Sequence, residues 1–273
     1  MAILQDIPQF IGKAVYNKSW YLCKPNFEAI LQKLRSGSIP EDDKQKKLIN
    51  YSSGKWVYHC QVDGYNFAYK TQEGKTFWRY LFHPSLPRRE FNNYQILQEL
   101  KIPVPQVLAV GDTRNCFVMS ESFLITEYLE DTQDGRVFMP GGKLRDGNKE
   151  LCKNFCEGHI KHLATLHDAG YFHKAFHPRN LLFRTIDNNK MEFFWIDVAR
   201  LRKAKDIKRS IIVDLHTFFR DMQLPFEEVK RLVGIYLVAV KVPVFQSVDE
   251  ITYELVNFKR RAFSKRVYKI CCD

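Results

Sequence analysis

Apolar and polar positions follow a strand-like pattern in the first half of the chain and a helix-like one in the second. Leu48 to Tyr58 and Val62 to Thr71 are rich in β-branched and aromatic residues, and Asp63-Gly64 between the two runs marks a tight hairpin. From Pro87 to Leu100 the period changes. Phe91, Tyr94, Ile96, Leu97 and Leu100 fall among polar and charged residues at helical spacing. "KIPVPQVLAVG" then leaves that helix through two prolines and enters a strand ending at Gly111. "SFLITEYLE" predicts another strand, and the Gly- and Asp-rich stretch 131–148 a loop that is either a lid or a plain surface connection. A helix is expected over 149–169. "LLFRTIDNNKMEFFWID" reads as a second hairpin turning at Asp187-Asn188-Asn189, and helices follow from Ile207.

Strands with one main helix, then a loop, then a helical part define an α+β plan of two lobes. The boundary falls at the loop, giving a β-rich N-lobe over 1–130 and a mostly helical C-lobe over 131–273. A nucleotide pocket between two such lobes is a common arrangement.

Composition narrows this little. The chain has 273 residues and 45% hydrophobic residues, enough for a real core. Residues 1–15 lack a basic start followed by an apolar run, and the longest apolar run, Leu232 to Val240, is too short to span a bilayer. A soluble, cytoplasmic protein is expected. The 7 cysteines form no framework spacing, which suits reduced thiols. Cys152 and Cys156 fit one helix face better than a metal site, because no second His/Cys pair follows at zinc spacing.

Charge adds more. The formal net charge is +11, and an anionic partner follows from it. Lys259, Arg260, Arg261, Lys265, Arg266 and Lys269 crowd the last stretch, interleaved with Phe263, Val267 and Tyr268. Such a tail suits the surface of an anionic membrane as well as it suits a solvated helix. No nucleic-acid motif accompanies the charge, so no nucleic-acid partner is expected.

The candidate chemistry lies in four places. Lys70 stands at the end of a strand in "YNFAYK", a rigid platform for a phosphate contact, and Glu90 in the following helix can pair with it. "YFHKAFHPRNLLF", residues 171–183, has the spacing of a phosphotransferase catalytic loop, His-x-Asp-x-x-x-x-Asn. His173 and Asn180 sit where that pattern wants them, but the position between is Ala175. Asp197 in "FFWIDVAR" ends an apolar strand, where a carboxylate must be paired or metal-bound. A cap or a salt bridge is the alternative for it.

The order of these pieces resembles the protein-kinase plan. In particular, the chain is similar over about 45–220 to the bacterial lipopolysaccharide core kinases, which phosphorylate heptose or Kdo sugars. The resemblance rests on "FAYK", "PRREFNNYQIL", "IPVPQVLAVG", "FLITEYLE", "HIKHLATLHDAGYFHKAFHPRNLLF" and "WIDVARLR". "HPRN" is shared in kind with aminoglycoside and choline kinases. The resemblance implies ATP and Mg²⁺ as cofactors and a lipopolysaccharide core sugar as acceptor. It also implies work at the cytoplasmic face of the inner membrane. By it, Lys70 contacts the nucleotide phosphates and Glu90 orients it. Asn180 and Asp197 hold the metal, and the backbone of Glu127, Tyr128 and Leu129 docks adenine. His173 is structural, and Asp214 tethers the catalytic loop. The glycine-rich loop is poor, with Gly54 beside Ser52 and Ser53, and Asp197-Val198-Ala199 replaces the usual Asp-Phe-Gly.

Ala175 occupies the position of the family's catalytic aspartate. A methyl group accepts no proton, and loss of a positioned base costs roughly 10²–10⁴ in rate. The chain is therefore expected to bind Mg-nucleotide and transfer phosphate poorly. One explanation is a nucleotide-binding scaffold or regulator. The other is a single replacement in an otherwise competent kinase, and the retention of Lys70, Glu90, Asn180 and Asp197 favours it.

Overall fold

A computed structural model describes residues 11–15, 19–39, 45–52, 54–73, 84–115, 118–186, 190–242 and 244–258. The basic stretch 259–273, Ser53 and the 187–189 turn lie outside these residues. The chain divides into two compact units. One comprises the described residues up to Asn92 with Pro105–Glu130, and the other Asn93–Val104 with the described residues from Asp131 onward.

The first unit is built on an antiparallel sheet. Its strands are β1 (Ile11–Val15), β2 (Ser19–Cys23), β3 (Lys46–Ser52), β4 (Lys55–Val62), β5 (Tyr65–Glu73), β6 (Val107–Asn115) and β7 (Val118–Glu127), in the order β1-β2-β6-β7-β5-β4-β3. The run expected as one strand over Leu48–Tyr58 is two, β3 and β4, paired antiparallel around Gly54 with φ 76°. The second hairpin turns as its sequence predicts. Asp63 and Gly64 have φ 50° and 78°, and Val62 pairs with Tyr65. Two successive left-handed residues match the twist of the flanking strands. The first 35 residues supply structure that the apolar pattern did not reveal: β1, β2 and helix α1 (Glu28–Arg35). Phe27, Ile30 and Leu31 at α1 pack with Phe67, Cys60 and Ile125 of the sheet in one buried cluster. Strand alternation puts Phe67 and Tyr69 of β5 in that cluster and turns Lys70 to the opposite face. Strand β6 runs through Gly111 rather than ending there. A Cβ at Gly111 would lie 2.7 Å from the Tyr21 Cβ and 2.8 Å from the Phe123 ring, so only glycine fits.

Helix α2 (Leu86–Glu99) follows the expected span closely, and the division between units falls within it. The second unit contains helices α3 (Lys149–Asp168), α4 (Ile207–Met222), α5 (Phe226–Ala239) and α6 (Val248–Asn257). A small sheet, β8 (Gln133–Asp134), β10 (Leu181–Thr185) and β11 (Met191–Trp195), and a two-stranded pair, β9 (Tyr171–Phe172) with β12 (Arg202–Lys203), frame the 171–183 loop. Aromatic side chains fill the core. Phe155 meets Phe138, Phe183 and Phe218, and Phe176 meets Trp195 and Phe218, with ring centroids 5.1–6.5 Å apart. The indole N–H of buried Trp195 donates to His159 Nδ1 at 3.1 Å, which satisfies its one polar atom. Among the described residues no helix is long and apolar enough to cross a membrane.

The 131–148 stretch is tied down along its length. Arg136 forks onto Asp134, and the Leu144 amide donates to the Val137 carbonyl at 2.9 Å. Arg145 donates to the Met222 and Gln223 carbonyls, both at 2.7 Å, and so caps the end of α4.

Candidate active site

In the first unit, Lys70 on β5 and Glu90 on α2 form an ion pair. Nζ lies 2.6 Å from the carboxylate, with Glu90 buried and Lys70 about a quarter exposed. Both ends rest on regular elements, and α2 is further held by Ser85 to Asp112 at 3.3 Å and by Arg88 over the Trp20 ring. A desolvated carboxylate requires its cation, so Glu90 holds Lys70 in one place.

The expected adenine-docking segment is partly committed already. The Glu127 amide donates to the Gln106 carbonyl at 2.9 Å and the Tyr128 amide to the Asn66 carbonyl at 3.1 Å. The Tyr128 ring stacks on His59 with centroids 3.9 Å apart. These bonds occupy two of the three N–H groups the resemblance offers to adenine.

In the second unit the 171–183 loop is braced from α4. Asp214 is fully buried and accepts from the His173 amide at 2.7 Å and the Lys174 amide at 2.8 Å. His167 Nε2 meets the same carboxylate at 3.3 Å, and its Nδ1 meets Tyr236 at 2.9 Å. Lys174 is held at φ 63°, in the left-handed region that costs a non-glycine residue on the order of 1 kcal/mol. The Asp214 bonds maintain it. His173 is fully buried, with its ring against Phe176 and Trp195, and its Nδ1 accepts from the Ala175 amide at 3.3 Å. Burial pushes its pKa down to about 4. It is a neutral packing residue, in the role the resemblance gives it.

Beyond Ala175 the chain folds back on itself. The His177 amide donates to the Ala175 carbonyl at 2.7 Å, and the Asn180 amide to the His177 carbonyl at 2.9 Å. Pro178 opens a 3-10 turn over 178–180, its fixed φ suited to that position. Asn180 donates its side-chain N–H to the Ala175 carbonyl at 3.1 Å, which leaves its amide oxygen as the atom able to ligate. The Asn180 carbonyl accepts from the Ile196 amide at 2.9 Å, so Asp197 is anchored next to this turn. Asp197 itself is exposed, with φ 53°. The argument from a buried charge therefore does not apply to it: Trp195 and Val198 on either side are buried, but Asp197 itself is exposed. It caps no helix and makes no ion pair among the described residues.

Asn180 and Asp197 contribute two hard oxygen donors on adjacent, hydrogen-bonded backbone segments. No group of three His, Cys, Asp or Glu able to hold a metal occurs among the described residues. Two protein ligands suit Mg²⁺, which keeps several waters and takes phosphate oxygens to complete its shell.

One pair of residues was missed by the sequence reading. His177 Nδ1 lies 2.6 Å from Asp221 on α4. His177 stands within the quoted loop, but the separation of 44 residues hid its partner.

The fold is kinase-like, with a paired lysine on a strand of the first unit and a braced loop in the second. The comparisons agree. The profile of the lipopolysaccharide kinase (Kdo/WaaP) family matches residues 44–236, and the chain belongs to that family. A 3-deoxy-D-manno-octulosonic acid kinase from Mannheimia succiniciproducens is 26% identical over 204 residues, 69% of this chain and 79% of that one. A solved structure of WaaP in complex with acyl carrier protein superposes with a TM-score of 0.63 at 18% identity, covering 86% of this chain and 92% of that one. It shares the α+β fold. Family membership makes this chain a lipopolysaccharide core sugar kinase by class, with a sugar hydroxyl as acceptor and ATP as the donor the family implies.

Proposed function

We propose that this protein phosphorylates a heptose or Kdo hydroxyl of the lipopolysaccharide core with Mg-ATP, and that Ala175 makes it a slow enzyme. Lys70, steadied by Glu90, contacts the nucleotide phosphates. Asn180 and Asp197 hold Mg²⁺, which neutralises phosphate charge when bound. Glu127, Tyr128 and Leu129 face adenine, the first two through their carbonyl groups. One observation carries the reading: the 171–183 loop keeps every structural tie, from Asp214 to Asn180, around a methyl group where a proton acceptor belongs. The net charge of +11 supports an acidic glycolipid acceptor and peripheral contact with the anionic inner leaflet through the basic C-terminus.

Ala175 also favours a second reading, a nucleotide-binding scaffold without transfer. ADP release from Mg-ATP with delipidated core oligosaccharide separates the two when this chain and Ala175→Asp are assayed side by side. Acceptor-dependent turnover by the aspartate variant supports the kinase. Binding of Mg-ATP without turnover in either protein supports the scaffold.

A further inference from the structure

The backbone segment assigned above to adenine is fastened by side chains that have no part in that assignment. Asn66 lies on β5, four residues before Lys70. Strand alternation puts Asn66, Ala68 and Lys70 on one face, opposite Phe67 and Tyr69 in the core. The rise of a strand separates Asn66 from Lys70 by about 13 Å, a span that suits a nucleotide lying along the strand from base to phosphates. Ala68 between them carries only a methyl group, so no long side chain stands in the way.

Asn66 joins Tyr128, Glu130 and His59. Its backbone carbonyl accepts from the Tyr128 amide at 3.1 Å. Its side-chain N–H₂ donates to the Glu130 carboxylate, and its side-chain oxygen lies 2.5 Å from His59 Nε2. Each role fixes the next. A carboxylate accepts, so Glu130 takes the amide N–H and the Asn66 oxygen turns to His59. His59 Nε2 is therefore the donor to that oxygen. The His59 ring in turn lies on Tyr128, with centroids 3.9 Å and planes 18° apart.

Tyr128 is thus held through its amide and its ring at once, and Glu130 through its side chain. Glu127 is clamped to Gln106, amide to carbonyl at 2.9 Å and carboxylate to amide at 2.7 Å. β7 ends at Glu127, so Tyr128, Leu129 and Glu130 have no strand ladder to place them. Ties from His59 and Asn66, which stand on the paired strands β4 and β5, take its place. Backbone groups recognise a ligand only as well as the backbone is placed. The phosphate end is fastened separately, because Lys70 is held by Glu90.

We propose that Asn66, with His59 and Glu130, positions the 127–129 backbone for the base of the nucleotide and so sets the share of the affinity that the base contributes. This rests on the adenine-docking part of the kinase reading above. All three are positioning residues.

The test is calorimetry on the full chain with two ligands, Mg-ATP and Mg-tripolyphosphate, which carries the phosphates without the base. The unaltered chain should bind Mg-ATP more tightly. Asn66→Ala should weaken Mg-ATP about 10-fold, the scale of one to two hydrogen bonds, and leave Mg-tripolyphosphate within about 2-fold. His59→Ala should weaken Mg-ATP about 5-fold through loss of the stack, and His59→Phe should recover most of that. Glu130→Gln keeps a polar partner for Asn66 and should stay near the unaltered affinity. Thermal unfolding checks that each variant is folded. Should Asn66→Ala not fold, the His59→Ala and His59→Phe pair decides by the same comparison. Equal weakening of both ligands makes the cluster a support of the unit as a whole, and no weakening of either removes it from the site. Either result overturns the proposal and leaves the kinase reading standing. A chain that binds Mg-ATP no better than Mg-tripolyphosphate overturns the proposal and adenine docking together. A chain that binds neither removes the kinase reading itself.

Discussion

The Lys70–Glu90 pair and the 171–183 loop are both polar sites on an apolar framework, but they differ in what remains at their centre. In the first, both charged partners are present, and each sits on a regular element. In the second, the backbone ties are present around the methyl group of Ala175. Asp214 still holds two loop amides and Asn180 still bonds the Ala175 carbonyl. The proposed binding and transfer roles thus fall on different atoms. The loop keeps its shape because its ties run through backbone amides and carbonyls, which a side-chain replacement at 175 leaves untouched.

The strongest way to break the contrast is to refill the gap. Ala175→Asp should raise kcat for core oligosaccharide by about 10²–10⁴-fold with little change in KM for ATP. Steady-state ADP release checks this, and an unchanged rate would show that the loop lacks more than a carboxylate. Next in size is the opposite site. Lys70→Ala in the Ala175→Asp background should cost about 10²-fold or more in kcat/KM, the usual scale for a charge aimed at a transferring phosphoryl group. In the Ala175 chain the same change should weaken Mg-ATP binding by calorimetry. Equal ATP affinity with and without Lys70 would remove the lysine from the site.

How legible each region was follows from the range of its interactions. α2 and the Asp63-Gly64 hairpin were readable because periodicity and turn chemistry are local. The loop residues were readable because seven residues separate His173 from Asn180. Lys70 and Glu90 are 20 residues apart, and a strand lysine followed by a helix carboxylate suggested the pair before the resemblance gave it a role. The His177–Asp221 pair spans 44 residues with no motif to link its ends, so only the fold reveals it. The β3–β4 turn was missed although the polar stretch Ser52-Ser53-Gly54 interrupts the apolar run. Asp197 was read as a buried charge at a strand end, and it is exposed.

Buried histidines sharpen the contrast further. Burial holds His162 and His173 down to about 4, and it depresses His159 more strongly still. All three belong to the second unit. An unfolded histidine titrates near 6.5, so between that pH and about 4 the unfolded state binds more protons. The stability these groups contribute is complete above about 6.5 and is lost as pH falls. His173 accounts for up to about 3 kcal/mol of that loss, and half-buried His162 for less. Denaturant melts at pH 7 and 5 should differ in midpoint, and His173→Phe, if it packs, should reduce the difference. A midpoint independent of pH across this window would contradict the burial of these rings.

The smallest expected effect concerns the brace itself. Asp214→Asn preserves size and one acceptor oxygen but presents an amide N–H₂ where the second loop amide needs an acceptor. Asp214 now serves the His173 and Lys174 amides through different oxygens, and His167 Nε2 shares the first of these with His173. Either orientation of the asparagine leaves one loop amide facing a donor in a fully buried site. The expected loss is about 2 kcal/mol, the scale of one charge-assisted bond replaced by an unsatisfied donor. Part of it should appear as local loosening, because the Asp214 bond to its amide helps hold Lys174 at φ 63°. Amide exchange should therefore quicken at 173–175 more than at 67–70 on β5. Uniform quickening across both units would mean that Asp214 supports global stability rather than the loop, and the separation of brace from chemistry would then be wrong.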